Sequence, residues 1–194
     1  MPINDDLLLE IIGRSKGESS DFDLNPALRQ AGRILRPAAV LVPVMAGKGG
    51  ARVVLTKRSS QLKHHPGQIA FPGGKIDPQD VSPEAAALRE AEEEIGLPRS
   101  QVRLLGRLAA HETVTGFAVT PIVGVIEGEF TPRPEAGEVA EVFDVPLAHL
   151  LDPACYRIER RHWLGQMRSY YAVPWGPYYI WGATARILYA MAKA

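Results

Sequence analysis

The hydrophobic and polar positions of this chain change period several times, and each change marks an element. Residues 5–13, DDLLLEIIG, put two acids ahead of an apolar run closed by glycine, which predicts a short first helix. Asn25 predicts the cap of a second short helix reaching Arg33. Residues 38–46, AAVLVPVMA, are almost wholly apolar, and residues 51–57, ARVVLTK, return after a glycine turn, so a hairpin is expected. Pro43 lacks the amide hydrogen a ladder needs and predicts an edge or an irregularity there. Residues 58–70 are polar, basic and broken by Pro66, hence loop. A long helix is predicted over about residues 82–95, then strands over 102–110, 117–127 and 138–145, with the proline-rich stretch 131–134 as a loop. Residues 156–163 and 168–173 predict a late hairpin around Gly165, and a helix over about 179–192 closes the chain. These elements interleave too irregularly for a βαβ series. The expected fold class is α/β of the α+β kind, a mixed sheet flanked by helices, formed by one domain over 1–194 with residues 1–32 as an N-terminal helical arm.

The predicted central helix carries its own start and stop. Ser82 is a natural N-cap, Pro83 suits the first helical position, and Gly96 and Pro98 end the run. At about 100° per residue, Ala87, Leu88, Ala91 and Ile95 share one apolar arc. Glu90, Glu93 and Glu94 occupy the adjoining arc, and Glu92 projects to the opposite flank. Three carboxylates at i, i+3 and i+4 repel one another, which a divalent cation would relieve; the alternative is a solvated acidic surface. Glu94 borders the apolar stripe, where a half-buried carboxylate needs a partner. Arg89 is four residues before Glu93 and can reach back to hold it. Just upstream, Pro72-Gly73-Gly74 allows the backbone to approach a ligand or metal closely.

Composition narrows the function. The 194 residues are 46% hydrophobic and 23% charged, which is ordinary for a globular protein. Lys plus Arg and Asp plus Glu both number 22, so no bulk charge recruits nucleic acid or an anionic membrane, and phosphate recognition has to be local. The lone Cys155 excludes an internal disulfide framework and fits a reducing cytosol, so a cytoplasmic location is expected. No apolar run approaches the roughly 18 residues of a membrane span.

The stretch from Phe71 to Leu97 resembles the box of the Nudix hydrolases: a glycine, five residues, an acid, seven residues, then Arg-Glu-hydrophobic-x-Glu-Glu-x-Gly-hydrophobic. The second half is complete as Arg89-Glu90-Ala91-Glu92-Glu93-Glu94-Ile95-Gly96-Leu97. The first half departs, since Gly74 is followed after five residues by Asp80 rather than Glu, and eight residues separate Asp80 from Arg89. Asp80 and Asp77 both remain candidates for the upstream acid. A narrower pattern upstream resembles the coenzyme A pyrophosphatase branch of that family. It reads Val54-Leu55-Thr56-Lys57-Arg58-Ser59, then Lys63, Gly67 and Phe71-Pro72-Gly73-Gly74, with Val54 and Lys63 as its two departures. Trp181-Gly182-Ala183-Thr184-Ala185 is similar to that branch as well.

The resemblance implies a Nudix fold, with a mixed sheet sandwiched between helices, and Mg2+- or Mn2+-dependent cleavage of the coenzyme A pyrophosphate to 3′,5′-ADP and 4′-phosphopantetheine. It implies Glu90, Glu93 and Glu94 as metal ligands, joined by a Gly73 or Gly74 carbonyl, with Arg89 orienting a glutamate. The general base stays open among Glu90, Glu93, Glu138 and Glu141. Lys57, Arg58, Lys63, His64, His65 and Phe71 are the implied substrate contacts. The two histidines have no third partner at metal-ligand spacing. His111-Glu112-Thr113 either lines the cleft or forms a plain turn, and the aromatic residues Tyr170, Tyr171, Trp175, Tyr178 and Tyr179 either stack adenine or pack the last helix, with packing the expectation. Competing expectations are a pyrophosphatase for ADP-ribose, NADH or nucleoside triphosphates, and a ligand sensor without catalysis. The expected partner is a small molecule, with no nucleic acid and no membrane; a homodimer stays open.

Overall fold

The structure is a computed structural model that describes residues 3–62, 66–163 and 165–194, apart from the side chain of Trp163. Lys63, His64 and His65, three of the expected substrate contacts, lie outside the described residues.

In chain order the elements are α1 (Asp5–Arg14), β1 (Ser19–Ser20), β2 (Arg36–Gly47), β3 (Gly50–Arg58), β4 (Ile69–Ala70), β5 (Gly73–Lys75) and α2 (Pro83–Ile95). There follow β6 (Val102–Arg107), β7 (His111–Glu112), β8 (Phe117–Ile126), β9 (Val139–Pro146) and α3 (Leu147–Leu150). The chain closes with β10 (Arg157–Trp163), β11 (Gln166–Trp175), β12 (Tyr178–Trp181) and α4 (Ala183–Lys193). A large mixed sheet runs β1-β7-β8-β2-β3-β4, with β5 also on β2, β6 on β8 and β9 on β3. The last three strands form a separate antiparallel sheet.

Strand β2 is the axis of this arrangement. One of its edges pairs in parallel with β8 from Arg36↔Phe117 to Val44↔Val125. The other edge pairs with β5 over residues 38–40 and with β3 over residues 44–47. Pro43 falls in the gap where the second edge changes partner. It therefore sits in a central strand, not at the sheet's edge, because no ladder bond is required of it there.

Side chains alternate across β2 and β3 and divide the interior in two. Ala39, Leu41 and Val54 face α2 and pack with Ala86, Ala87, Ala91 and Ile95. Val42, Val44, Val53 and Leu55 face the opposite way and pack with Leu8 and Ile11 of α1, Leu147 and Leu150 of α3, Val173 and Ile180 of the small sheet, and Ile187 and Leu188 of α4. No helix among the described residues is long and apolar enough to cross a membrane.

Three expectations are corrected. The helix predicted after Asn25 is only a 3-10 turn, Pro26–Leu28. Asn25 does not cap it: its amide donates to the Ser169 carbonyl and its Oδ1 accepts from the Ser169 amide, both at 2.8 Å, tying this segment to β11. The arm is not purely helical, since β1 adds to the sheet beside β7. The last helix begins later than predicted. Tyr178 to Trp181 pair with β11 as a strand, as suits β-branched and aromatic residues, and Gly182 turns the chain at φ 66° before α4.

Candidate active site

The capping chemistry of α2 appears as its sequence requires. Ser82 Oγ accepts from the Ala85 amide, and Gly96 closes the helix in the left-handed region at φ 67°. A second device secures the C-terminal end. The proline-rich loop passes close enough for the Arg133 amide to donate to the Ile95 carbonyl and the Glu135 amide to the Glu94 carbonyl, at 2.8 and 2.9 Å. Two carbonyls that a helix end leaves unpaired are thereby satisfied.

Against the N-terminal half of β2 lies the glycine strand β5. Gly73 has φ 153°, and a Cβ there would stand 2.5 Å from the Ala39 carbonyl oxygen and the Val40 Cα. A Cβ on Gly74 would stand 2.4 Å from Glu90 Oε1. Glycine at 73 lets β5 lie close against β2, and glycine at 74 leaves room for the Glu90 carboxylate over the β5 backbone.

Glu94 is 5% exposed, and its Oε2 accepts from the Gly73 amide at 3.1 Å. Burial pushes its carboxyl up to about 7; the Gly73 hydrogen bond and the positive charge of Arg58 oppose this, and the charges of Glu90 and Glu138 reinforce it. Burial likewise raises Glu90, against the pull of Arg89 and with the push of Glu93 and Glu138. Glu93 is the outlying member, with a side chain 59% exposed and an oxygen 3.1 Å from Arg89 Nη1. Glu92 faces away and pairs with Arg99 at 2.8 Å, as its position on the helix predicts.

Arg89 organises the acids. Its Nε and Nη2 donate to the two oxygens of Asp80 at 3.1 and 2.9 Å, Nη2 also to the Lys75 carbonyl, and Nη1 to Glu90 and Glu93. Of the two candidates for the upstream acid, Asp80 is the one Arg89 grips, with a side chain 7% exposed, while the Asp77 carboxylate is 3.6 Å away and exposed. The Arg89 hydrogen bonds hold Asp80 below the usual carboxylate range. Nothing in the spacing pointed to this pairing, because the fork depends on the turn that folds Asp80 back beside Arg89.

The remaining candidates separate. Arg58 and Glu138 both act on Glu94 through their charges, and the Glu138 carbonyl accepts from the Ser59 amide at 2.7 Å. Glu141 is engaged by the Tyr178 hydroxyl at 2.5 Å, with Lys57 as its exposed cross-strand neighbour. Phe71 is 4% exposed and belongs to the larger core, the cluster that also holds Ile69 and Val42. Of His111-Glu112-Thr113, the first two form β7 and Thr113 opens the turn that its carbonyl closes with the Gly116 amide at 3.1 Å. His111 is fully buried between Ser19 Oγ at 2.9 Å and Asp21 Oδ1 at 3.1 Å, and Glu112 is gripped by Arg29 and Arg33. Tyr171 and Tyr178 pack inward, stacked on Tyr189 and Phe143, whereas Tyr170 and Tyr179 do not join that core.

Chemically, the cluster offers two desolvated carboxylates beside backbone carbonyls and amides. An oxygen-only donor set suits a hard divalent cation, and the mutual repulsion of Glu90 and Glu94 is what such a cation relieves. With Glu93 turned to Arg89, no three His, Cys, Asp or Glu side chains among the described residues converge closely enough to hold a metal ion as they stand.

Residues 35–166 match the NUDIX domain. The chain belongs to the NUDIX family. It is 42% identical over 161 residues to an uncharacterized Nudix hydrolase, NudL, of Photorhabdus laumondii, covering 81% of this chain and 84% of that one. It is 39% identical over 169 residues to NudL of Escherichia coli K12, also uncharacterized, covering 87% and 88%. Among solved structures, a Nudix hydrolase of M. smegmatis, RenU, superposes with a TM-score of 0.51 at 26% identity, over 62% of this chain and 82% of that one. A C. elegans Ap4A hydrolase shares the fold, with a TM-score of 0.50 at 18% identity over 57% and 80%. The mixed sheet with flanking helices is the Nudix domain architecture, and the chain is a Nudix hydrolase.

Proposed function

We propose that this Nudix hydrolase cleaves the pyrophosphate of coenzyme A, releasing 3′,5′-ADP and 4′-phosphopantetheine, with Mg2+ or Mn2+ as cofactor. The observation that carries the reaction type is the pair Glu90 and Glu94, desolvated side by side on α2 and facing the Gly73-Gly74 backbone. The pattern over residues 54–74 supports coenzyme A as the substrate.

Glu90 and Glu94, with Glu93 after it leaves Arg89, and the carbonyl of Gly73 or Gly74, are the residues that would hold the cation. When bound, it neutralises diphosphate charge and makes a water molecule more acidic. Arg89 orients Glu90 and Glu93, and Asp80 fixes Arg89. Glu138, whose charge acts on half-buried Glu90 and buried Glu94, is better placed than Glu141 of β9 to take a proton, since Glu141 already accepts from Tyr178. Lys57 and Arg58 supply positive charge for the substrate phosphates. We read all 194 residues as one domain working in the cytosol, since the small sheet and α4 share the larger core with β2 and β3.

The test is product analysis with coenzyme A, its thioesters, ADP-ribose, NADH and nucleoside triphosphates, each with and without Mg2+. Coenzyme A should give 3′,5′-ADP only with metal, and Glu93→Gln and Glu94→Gln should each abolish that release while the protein stays folded. Wild-type turnover by either variant would remove the metal assignment, and a preference for another substrate would remove coenzyme A.

A further inference from the structure

The site described above leaves one stretch unused, Trp181-Gly182-Ala183-Thr184-Ala185, where β12 turns into α4. Gly182 makes the turn at φ 66° and ψ −138°, a conformation that residues with side chains rarely adopt, and its amide donates to the Tyr171 carbonyl at 3.0 Å. The turn lies against the end of the loop that follows β3, since a Cβ on Gly182 would stand 3.7 Å from Gln68 Nε2. The next strand, β4, is two residues long, and its pairing with β3 sets Ile69 opposite Lys57 and Ala70 opposite Thr56. On the β3 side the Gln68 carbonyl accepts from the Arg58 amide at 2.9 Å, and the Ala70 carbonyl accepts from Thr56 Oγ1 at 3.1 Å. The Ile69 carbonyl between them faces the other edge, where Thr184 Oγ1 donates to it at 3.1 Å. Ile69 and Thr184 are both buried, where a carbonyl needs a protein partner.

We propose that Thr184 is a positioning residue for Lys57 and Arg58, acting through β4; the inference rests on the reading of those two as contacts for the substrate phosphates. On their β9 side the pairing is irregular, since its register shifts between Lys57 and Arg58, and such a shift re-aims the side chains around it. Their regular partner is β4, held from behind by the first turn of α4. The Gly67 amide, donating to the Arg58 carbonyl at 3.1 Å, depends on the same short ladder. The brace acts upstream only. Downstream the chain is fixed again by Phe71 in the core and by the Pro72 carbonyl, which accepts from the Leu41 amide at 2.9 Å, before it reaches Gly73 and the Glu94 carboxylate. Loss of the Thr184 hydrogen bond therefore weakens substrate binding and spares the acidic cluster.

Thr184→Val keeps the shape of the side chain and removes its hydroxyl. Residue-specific amide exchange on the full chain, without substrate or metal, should show the Arg58 and Gly67 amides exchanging about tenfold faster than in wild type, with Leu41 unchanged. Kinetics with the cleaved substrate at saturating Mg2+ should show KM raised about fivefold or more and kcat within about twofold of wild type. Thr184→Ser, which restores the hydroxyl, should return both readouts to wild-type values. Should Thr184→Val fail to fold, Thr184→Ala carries the same expectations. The exchange measurement needs no substrate, so the discovery that another molecule than coenzyme A is cleaved would defeat the proposed reaction and leave the brace standing. Unchanged exchange at Arg58 and Gly67, faster exchange that includes Leu41, a loss in kcat with KM unchanged, or no recovery in Thr184→Ser would overturn it.

Discussion

Replacing Glu94 by glutamine should change the pH dependence of stability in a way that can be worked out beforehand. The Glu94 carboxyl, ordinarily near 4.5, titrates near 7 in the folded protein because it is buried. That difference amounts to about 3 kcal/mol between its two protonation states. Below pH 4.5 the group is protonated whether folded or unfolded, and the native state carries no penalty. As pH rises from 4.5 to 7 the unfolded chain ionises first, so stability falls; above 7 the folded group ionises too and the loss levels off. Glutamine keeps the shape and the acceptor for the Gly73 amide but cannot ionise. In metal-free buffer, the stability of Glu94→Gln relative to wild type should therefore climb by about 3 kcal/mol between pH 4 and pH 8. Urea unfolding at a series of pH values measures this, and the titrating groups that do not act on Glu94 cancel in the difference, leaving the coupled Glu90 and Glu138 to shift with it. Adding Mg2+ at pH 8 should recover much of the loss in wild type and little in the variant. A difference that stays flat within about 0.5 kcal/mol across the range would refute the burial argument.

Three further outcomes follow. Asp80→Asn should lower kcat about 10- to 100-fold with little change in KM, because it loosens Arg89 and hence the orientation of Glu90 and Glu93; steady-state kinetics with the cleaved substrate decides it. Gly73→Ala should destabilise by about 2 kcal/mol or more, since its Cβ meets β2 backbone at a positive φ, while Gly74→Ala should leave the melting temperature nearly unchanged and reduce activity by displacing the Glu90 carboxylate. Asn25→Ala should cost about 1–2 kcal/mol in denaturant unfolding, because both hydrogen bonds to Ser169 are lost.

What could be read from the sequence was whatever local periodicity or capping encodes. Ser82, Pro83 and Gly96 set α2 to within a residue, and the arc assignment that separated Glu92 from Glu90, Glu93 and Glu94 reappears as a pair with Arg99 on one side and half-buried Glu90 and buried Glu94 on the other, while Glu93 stays exposed against Arg89. Pairings between distant segments were not legible. Asn25 looked like a cap because capping is the commonest local use of its side chain, and only the arrival of β11 gives it a better partner. The two-residue strands β1, β4 and β7 have no pattern of their own and exist through their neighbours. Asp80 was suspect for its spacing alone, and its partner became evident only once the turn before α2 was in place. Phe71 lay within a motif, yet its ring is needed by the core.

Strand β2 also fixes the order in which the molecule can assemble. The α2 helix and the hairpin of β2 and β3 are local and can form early, but the parallel pair with β8 joins residue 36 to residue 117, and β5 reaches its place only by docking on residues 38–40. Such distant closures are slow steps, because the chain's entropy is spent before the contacts form. The Gly73 amide that meets the Glu94 carboxylate belongs to the strand that docks on residues 38–40, so the acidic cluster is braced by the sheet, and helices without that sheet would lack the backbone wall the cluster is built against.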